Sequence, residues 1–278
     1  MNKIDNKNLC FIIPTYNPSK NFHDVIKKIL KFKAKIFIFD NHSENKTYLN
    51  KLEGIEIEYS NANYGYGHGI NFFLKKYINR FQWFCMLDQD SILDINFFEY
   101  VNQYIDIKNK FIGLIGTNVC YKGTNKNLLN LDIAKSFYYQ KTLICSGSII
   151  SKEHIKKVGF LKSDFFMEYI DVEYCLRLES NGFKNVISSK VFLIQEFGKN
   201  EIINFFGRVI SIDNHNPMRY FYRARNLKYC MIKYFKTQKK VILIHIYNFI
   251  KMLIKILIFE RQKFPKIFQI LRGFFKNL

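Results

Sequence analysis

The stretch Trp83-Phe84-Cys85-Met86-Leu87-Asp88-Gln89-Asp90-Ser91 decides the fold, because an apolar run of strand-like composition ends there in two carboxylates. Side chains alternate along an extended chain, so Asp88 and Asp90 are predicted to point to the same side. Two carboxylates on one side repel each other unless a cation lies between them. A divalent metal that carries a diphosphate is the natural candidate, because hard cations prefer oxygen ligands. A turn at the strand end, where Asp and Ser are common, is the alternative interpretation.

Apolar runs and helically spaced apolar residues alternate along the first ninety positions. Strands are predicted at 9–13, 35–39, 55–59 and 82–87, and helices at 22–32, 47–52 and 70–78. Strands that alternate with helices predict βαβ units and an α/β fold with a mostly parallel sheet flanked by helices.

Polar clusters follow three of the predicted strands, and ligands bind beyond the carboxyl ends of strands in sheets of this kind. The clusters are Pro14-Thr15-Tyr16-Asn17, Asp40-Asn41-His42-Ser43 and Asp88-Gln89-Asp90-Ser91. The segment from Asn61 to Asn71 adds a glycine-rich turn that enters a helix, where a backbone can approach an anion closely. It matches neither the dinucleotide fingerprint nor a P-loop, so generic nucleotide-binding motifs do not apply.

Composition limits the class of protein. The chain has 278 residues, of which 48% are apolar, enough for a full core. Its six cysteines include no CxxC pair, and residues 1–8 are polar, so we expect a cytoplasmic protein with reduced thiols and no signal peptide. The net charge of +20 indicates an anionic partner such as nucleic acid, anionic lipid or a phosphorylated substrate.

Two other classes explain these features less well. A nucleic-acid-binding protein would account for the charge but not for carboxylates at strand ends, and no RRM, KH or zinc motif is present. A nucleotidyltransferase should carry a glycine-rich, basic loop after its first strand, which Pro14-Thr15-Tyr16-Asn17-Pro18 is not.

The order of the motifs resembles the family 2 glycosyltransferases of the GT-A (Rossmann-like) fold, and within them a rhamnosyltransferase-like branch. The resemblance covers about residues 8 to 230, and Asp88-Gln89-Asp90-Ser91 is the form that resembles the rhamnosyl branch. Beyond the three strand-end clusters, the matching stretches are Asn63-Tyr64-Gly65 through Asn71, Ser146-Gly147-Ser148, Phe165 through Arg177, and Arg219-Tyr220-Phe221-Tyr222-Arg223-Ala224-Arg225-Asn226.

The resemblance implies a role for each matching residue. A Mg²⁺ or Mn²⁺ ion would be held mainly by Asp90, with Asp88 beside it. Residues of the acceptor and donor-sugar region would be Ser146, Gly147, Glu173 and Arg219. The residues that would bind the donor nucleotide are Pro14, Thr15, Tyr16, Asn17, Asp40, Asn63, Gly65, Asn71, Asp88 and Gln89.

The general base is expected in the segment 165–177. Glu168, Asp171 and Cys175 share one face at helical spacing, and the resemblance places the catalytic aspartate at Asp171, with Glu168 as the next candidate. Such a base contributes about 10²–10⁴-fold to the rate. The alternative is that Asp171, Glu173 and Arg177 form ion pairs on a helix surface.

One position departs from the family pattern. Gln195 stands where similar enzymes carry a histidine that completes the metal site, and glutamine offers only a neutral carbonyl oxygen. His215 is the candidate that could supply the imidazole instead.

The resemblance implies an inverting, metal-dependent transferase. It would move a sugar, with rhamnose from dTDP-rhamnose favoured, to a hydroxyl of a growing, lipid-linked surface polysaccharide such as an O-antigen or capsule. The alternatives are a different donor such as a UDP-hexose, or a non-catalytic relative that binds lipid or nucleic acid.

The division expected is a catalytic domain over residues 1–230 and a basic amphipathic helical extension over 231–278. Between 241 and 259 the polar residues His245, Asn248, Lys251 and Lys255 recur every three or four positions on an otherwise apolar helix. Two lysines count against a transmembrane span, so we expect a helix that lies on an anionic membrane surface, peripheral to the inner face of the cytoplasmic membrane. A helix packed on the catalytic domain with its polar stripe in water is the alternative.

Overall fold

A computed structural model describes residues 3–50, 52–106, 109–122, 127–196, 201–205 and 207–276. The strands are β1 Leu9–Thr15, β2 Lys35–Asp40, β3 Glu56–Tyr59, β4 Trp83–Met86, β5 Ile92–Leu93, β6 Ile112–Tyr121, β7 Phe137–Tyr139, β8 Ser148–Ser151, β9 Lys184–Gln195, β10 Glu201–Phe205 and β11 Arg208–Ile212. The helices are α1 Phe22–Leu30, α2 Tyr66–Tyr77, α3 Phe97–Tyr104, α4 Lys152–Val158, α5 Ile170–Ser180, α6 Pro217–Tyr234, α7 Lys239–Ile258 and α8 Lys263–Phe275.

A nine-stranded sheet forms the centre of the molecule, in the order β3-β2-β1-β4-β8-β6-β9-β5, with β7 paired to β9. The pairs β3–β2, β2–β1 and β1–β4 are parallel, as is β6–β9, while β8 runs antiparallel to both of its neighbours. The sheet therefore has a parallel N-terminal half that presents the ends of β1, β2 and β4 at one edge. β10 and β11 form a separate antiparallel pair.

Alternation along the first strand divides the core into two layers. Cys10 and Ile12 pack on one face of the sheet with α2 and α5, whereas Leu9, Phe11 and Ile13 pack on the other face with α1 and α3. Both faces of the parallel half are covered, which explains why its strands are continuous apolar runs.

The predicted elements of the N-terminal half agree with the structure, with one exception. Residues 47–50 form a turn, with the backbone N–H groups of Leu49 and Asn50 donating to the carbonyl of Lys46, so the predicted helix at 47–52 is wrong. The six residues are too few to stabilise a helix without a packed face.

The C-terminal helices pack against the rest of the chain. α6 crosses position 230, where the two predicted units were divided. Ile242 of α7 belongs to the same buried cluster as residues of α2 and α5. α8 packs along α6, and Gly273 permits this contact, because a Cβ there would lie 2.2 Å from the carbonyl oxygen of Phe221.

Candidate active site

The ends of β1 and β2 are joined through one buried carboxylate. Asp40 accepts hydrogen bonds from the hydroxyls of Thr15 (3.3 Å) and Ser43 (2.5 Å) and from the Ser43 backbone N–H (3.0 Å). The Ser43 hydroxyl oxygen in turn accepts from the backbone N–H of Asn17 at 2.8 Å. Two of the three predicted polar clusters are thereby one connected rim, as expected from parallel strands in register.

The third cluster joins the rim through the side chain of Gln89. It accepts from the backbone N–H of Tyr16 at 2.9 Å and donates to the Tyr16 carbonyl at 3.2 Å. β4 ends at Met86, and residues 88–91 form a turn in which the Ser91 N–H donates to the Asp88 carbonyl at 3.1 Å. Strand alternation does not extend into a turn, so it gives no reason to place Asp88 and Asp90 on the same side. The two carboxyl groups are still close enough for the charge of Asp90 to raise the pKa of Asp88.

The two aspartates of this turn line different cavities. Asp88 lines a cavity of about 300 Å³, the central cavity. Asp90 is solvent-exposed and lines a neighbouring cavity of about 520 Å³ beside α1, the outer cavity, together with Asp24 and Lys122. The residues that line the central cavity are Tyr66, Asp88, Ile144, Cys145, Ser146, Met167, Glu168, Tyr169, Ile170, Asp171, Gln195 and Arg219.

Asp88 is held at the wall of the central cavity by neutral partners. Its backbone N–H donates to the Ser146 hydroxyl at 3.0 Å, and the Gln195 amide donates to its carboxylate at 2.7 Å. Burial, and then the nearby charge of Asp90, raise the pKa of Asp88 to about 7. Among the described residues, the Asp88 carboxylate has no cationic partner.

Two polar atoms beside Asp88 are buried without a hydrogen bond to the described residues. They are the Tyr66 hydroxyl and the Oε1 atom of Gln195. Burial, and then the charge of Asp88, raise the pKa of Tyr66 well above its usual range, so its hydroxyl keeps its proton. Buried polar groups normally have partners, so the Gln195 acceptor is available for a ligand. The Tyr66 hydroxyl lies close enough to Asp88 to donate either to that carboxylate or to a ligand.

Asp171 and Glu168 line the same cavity in opposite electrostatic environments. Burial would raise the pKa of Glu168, but the guanidinium groups of Arg223 and Arg219 outweigh it and hold that pKa below its usual range. Arg223 donates to the Glu168 carboxylate at 2.8 Å, and Arg219 donates to its other oxygen.

Within the part of the chain that the structure describes, Asp171 has no such cation. Its carboxylate accepts from the Val172 backbone N–H at 2.8 Å. Burial raises the pKa of Asp171 to about 6, and the charge of Glu168 contributes in the same direction. A carboxylate that is ionised near neutral pH and still basic is suited to accept a proton, whereas Glu168 is committed to its arginines.

The loop that carries Glu168 and leads into α5, where Asp171 lies, is strained. Phe166, Glu168 and Tyr169 have positive φ angles of 61°, 58° and 64°, a conformation that is costly for residues other than glycine. The buried Asn226 amide of α6 holds the loop by donating to the carbonyls of Phe165 (3.1 Å), Met167 (2.8 Å) and Glu168 (2.8 Å).

Gly65 allows the start of α2 to meet this loop. Its φ is +85°, and a Cβ there would lie 2.3 Å from the carbonyl oxygen of Phe166. The next backbone N–H, that of Tyr66, donates to the same oxygen at 3.0 Å, which aims the Tyr66 side chain at the central cavity. Asn63 fixes the turn by accepting from the Gly65 N–H at 3.0 Å.

Several predicted site residues lie outside the central cavity. The Asn71 amide is used by the backbone of Leu161 and by Ser163, so it fastens the 161–163 segment to α2. Glu173 is buried and pairs with Arg177 at 2.6 Å, so one ion pair of the alternative interpretation is formed, but in the interior and not on a helix surface.

The remaining predicted residues have other neighbours. His215 lies 4.0 Å from Asp213 and near the Tyr220 ring, and burial and Arg219 lower its pKa. Gly147 has a φ of +73° and donates to the Met86 carbonyl, which sets the turn that follows Ser146.

The side chains that could bind a metal ion differ from the predicted set of Asp88, Asp90 and His215. Within the described ranges no three His, Cys, Asp or Glu side chains are grouped to hold a metal ion, so Asp88, Asp90 and His215 do not form such a cluster. The oxygen donors beside the central cavity, the Asp88 carboxylate and the unpartnered Gln195 Oε1, fit a hard divalent cation that receives its other ligands from a diphosphate.

A second cavity meets the central one at Asp171. It has a volume of about 680 Å³ and lies between the sheet and α7, and we call it the α7 cavity. Val241, Ile244, His245 and Asn248 of α7 form one wall of it. Asp171 therefore lies where two ligands could meet from different directions.

Sequence reasoning missed some of these features. Tyr66 and Asn226 lie in stretches that match the family motifs, but no sequence signal assigns a direction to the Tyr66 hydroxyl or a role to the Asn226 amide. The part of α7 in lining a cavity beside Asp171 was also missed, because it depends on how distant helices pack.

The fold is that of the GT-A glycosyltransferases. The fold resembles that of S. aureus TarS residues 1–349, with a TM-score of 0.63 and 12% identity over 96% of this chain and 80% of that one. TarS in complex with UDP-GlcNAc gives a TM-score of 0.62 at 13% identity, covering 96% of this chain and 79% of that one. GalNAc-T7 with UDP, GalNAc and Mn²⁺ gives 0.56 at 12% identity, covering 68% of this chain and 44% of that one.

The family is established by sequence. The model of glycosyl transferase family 2 matches residues 10–159, and the chain belongs to that family. A curated relative, the dTDP-rhamnosyl transferase RfbF of Shigella flexneri, is 27% identical over 240 residues, which is 80% of this chain and 79% of that protein. The enzyme is therefore a glycosyltransferase, as the sequence motifs predicted.

Proposed function

We propose that this enzyme is an inverting, metal-dependent rhamnosyltransferase that uses dTDP-rhamnose. The acceptor would be a hydroxyl group of a growing, lipid-linked surface polysaccharide. The similarity to the dTDP-rhamnosyl transferase RfbF extends over 80% of the chain and supports this donor.

The observation that carries the proposal is the position of Asp171. It lines both the central cavity, with Asp88 and Arg219, and the α7 cavity. A base between a donor and an acceptor can take the proton of the acceptor hydroxyl as that oxygen attacks the anomeric carbon. Attack from the side opposite the leaving diphosphate inverts the configuration, and one base is then sufficient.

The donor would occupy the central cavity and the rim formed by the ends of β1 and β2. Thr15, Asp40 and Ser43 form a hydrogen-bonded edge there, and Tyr16 is half exposed beside it. The Tyr66 hydroxyl could donate to a sugar or phosphate oxygen, and Gln195 Oε1 could accept from a sugar hydroxyl or bind a cation.

A divalent cation, Mg²⁺ or Mn²⁺, would be held by Asp88, Asp90 and Gln195 Oε1 together with the diphosphate. When bound, it would neutralise the charge of the leaving group. The chain's own residues then orient the substrates and move the proton. Asp171 receives it, while the Arg219–Glu168–Arg223 cluster fixes the loop and keeps Glu168 ionised and unavailable.

A second candidate function is transfer from a UDP-hexose donor. It is supported by the fold that this chain shares with TarS, whose structure contains UDP-GlcNAc, and with GalNAc-T7, whose structure contains UDP and Mn²⁺. These likenesses are at 12% and 13% identity, so they support the fold and leave the donor to experiment.

Thermal shift of the purified protein with dTDP, UDP, GDP and CMP, each with and without Mg²⁺ or Mn²⁺, tests the donor and the metal. We expect stabilisation by dTDP that requires the cation and is lost in Asp90→Ala. Asp24→Ala is the matched control, because Asp24 lines the outer cavity with Asp90. Metal-dependent stabilisation by UDP alone would favour the second candidate, and no response to any nucleotide would refute both.

A further inference from the structure

The face of α7 that points away from the protein is apolar. Its inner face packs on the domain through the buried residues Ile242, Met252 and Ile256. The outward stripe, with positions 45–61% exposed at helical spacing, is Leu243, Tyr247, Ile250, Ile254 and Leu257. The helix packs on the domain, as the alternative interpretation expected, but only part of its polar stripe faces water. Asn248 and Lys251 are exposed, whereas His245 is half-buried beside the α7 cavity and Lys255 donates to the Ser211 carbonyl.

α8 repeats this arrangement. Its inner positions Lys266, Ile270 and Gly273 are buried. Four outward residues of α8 at helical spacing are largely exposed: Phe264 (89%), Phe268 (60%), Leu271 (52%) and Phe275 (80%). Soluble proteins rarely leave so many large apolar side chains in water unless they bind a partner or a membrane.

Both helices are fastened to the catalytic core by polar contacts as well. Glu260, in the connection between them, accepts from the Tyr220 hydroxyl at 2.6 Å and pairs with Lys266 at 2.8 Å, and all three side chains are buried. Breaking a buried pair of this kind is strongly unfavourable. These contacts attach α7 and α8 firmly to α6, so the outward faces of the two helices form part of the surface of the domain.

The charge around this surface selects the kind of partner. Between residues 239 and 276 the single acidic residue is Glu260, which is buried in its ion pair. The exposed cations of the two helices, their ends and their connection are Lys239, Lys240, Lys251, Arg261, Lys263, Arg272 and Lys276. Of these, Arg261 pairs with the exposed Glu201 of β10 at 3.2 Å. An apolar face bordered by cations, with no exposed carboxylate on α7 or α8 themselves, is complementary to anionic lipid headgroups above acyl chains.

We propose that the outward stripes of α7 and α8 form a lipid-facing surface that lies in the headgroup region of an anionic bilayer leaflet. α7 is long and apolar enough to cross a membrane. Spanning would remove Ile242, Met252 and Ile256 from the protein core, so the helix lies on the membrane and does not cross it.

If the proposed function is correct, this surface also determines how a lipid-linked acceptor reaches Asp171. Ile244 is 58% exposed and also lines the α7 cavity. The cavity that leads to Asp171 is thus adjacent to the lipid-facing surface. A lipid-linked acceptor could reach the base while its lipid stays in the leaflet.

Co-sedimentation with vesicles of phosphatidylcholine, with and without phosphatidylglycerol, tests the surface. We expect the full chain to bind vesicles that contain phosphatidylglycerol, and salt to weaken the binding. The triple variant Ile250→Ser, Ile254→Ser, Leu257→Ser should bind at least about tenfold more weakly. The control variant makes the same kind of change at exposed apolar positions elsewhere, Ile95→Ser, Phe111→Ser and Ile133→Ser, and should bind as the wild type does.

Depth is measured with Tyr247→Trp, because Trp83, the other tryptophan, is buried in β4. Quenching by lipids brominated near the headgroup should exceed quenching by lipids brominated near the chain ends. The reverse order would overturn the proposal, since it places α7 across the bilayer.

Three further outcomes overturn the proposal. They are no vesicle binding by the folded wild type, an equal loss of binding in the control variant, and a change in oligomeric state of the α7 variant that accounts for its loss. Circular dichroism and stabilisation by dTDP without vesicles establish that the variants are folded. Because that nucleotide response needs no lipid, failure of the membrane surface and failure of the proposed function give different results.

Discussion

Replacing Asp171 with asparagine should remove the general base and leave the donor site intact. The asparagine keeps the shape of the side chain and its hydrogen bond from the Val172 N–H but cannot accept a proton. A general base contributes about 10²–10⁴-fold, so kcat should fall by that factor, which corresponds to about 3–5 kcal/mol of transition-state free energy. Stabilisation by dTDP should be retained.

The pH profile gives the same prediction a second measurement. A base must be ionised, and the pKa of Asp171 is raised to about 6, so wild-type kcat should be near its plateau at pH 7 and fall as the pH decreases. At pH 5 about one tenth of the carboxyl groups would be ionised, which predicts about a tenfold loss. In Asp171→Asn this acid limb should disappear from the residual activity.

Glu168→Gln is the matched control, because Glu168 lines the same cavity and was the other candidate base. The charge of Glu168 raises the pKa of Asp171, so its removal should shift the acid limb to lower pH without abolishing it. The assay is transfer from labelled dTDP-rhamnose, followed alongside its slow hydrolysis by water. If Asp171→Asn keeps activity within tenfold of wild type, or if Glu168→Gln abolishes the acid limb, the assignment of the base is refuted.

Three further predictions concern the supports of the site. Asp88→Asn should stabilise the ligand-free enzyme, because ionisation of the buried Asp88 carboxyl, with its raised pKa, opposes folding. The stabilisation should grow as the pH rises from about 4 to about 7 and then level off, which thermal melts at several pH values measure. Asn226→Ala should lower the free energy of unfolding by about 2–4 kcal/mol, because it removes the donor shared by three carbonyls of the 165–168 loop. Urea titration that finds a change of less than about 0.5 kcal/mol would contradict this. Gly65→Ala should destabilise the protein far more than its control Gly54→Ala. Both glycines have positive φ, but a Cβ at Gly65 would lie 2.3 Å from the Phe166 carbonyl oxygen, whereas the space at Gly54 is open. Equal melting temperatures of the two variants would contradict the close contact at Gly65.

Much of the N-terminal half was predictable from the sequence. The strand runs ending at Thr15, Asp40 and Met86 are continuous apolar segments, which is the pattern of strands buried on both faces, and their polar ends were correctly expected to meet. The turn at 88–91 was not predictable in detail, since two residues of extra length beyond a strand change where a carboxylate points.

The environment of each candidate base was also beyond sequence reasoning. Glu168 and Asp171 both carry a carboxyl group, and their spacing in the sequence predicts that they share one helical face. They differ because Arg219 and Arg223, about fifty residues later, pair with Glu168, whereas no cation among the described residues pairs with Asp171. A distinction that depends on a long-range ion pair is set by the packing of α6 on the loop.

The sequence by itself therefore determined the family, the order of the strands and helices along the N-terminal half, and the set of residues from which a site could be made. These follow from local patterns, because strand runs, turn residues and motif order are written along the chain. Only the tertiary structure decided which carboxylate is free to act as a base, which cavity each aspartate lines, and which face of α7 points outward. Those outcomes depend on groups far apart in the chain, whose burial and charge become defined only when the helices pack against the sheet.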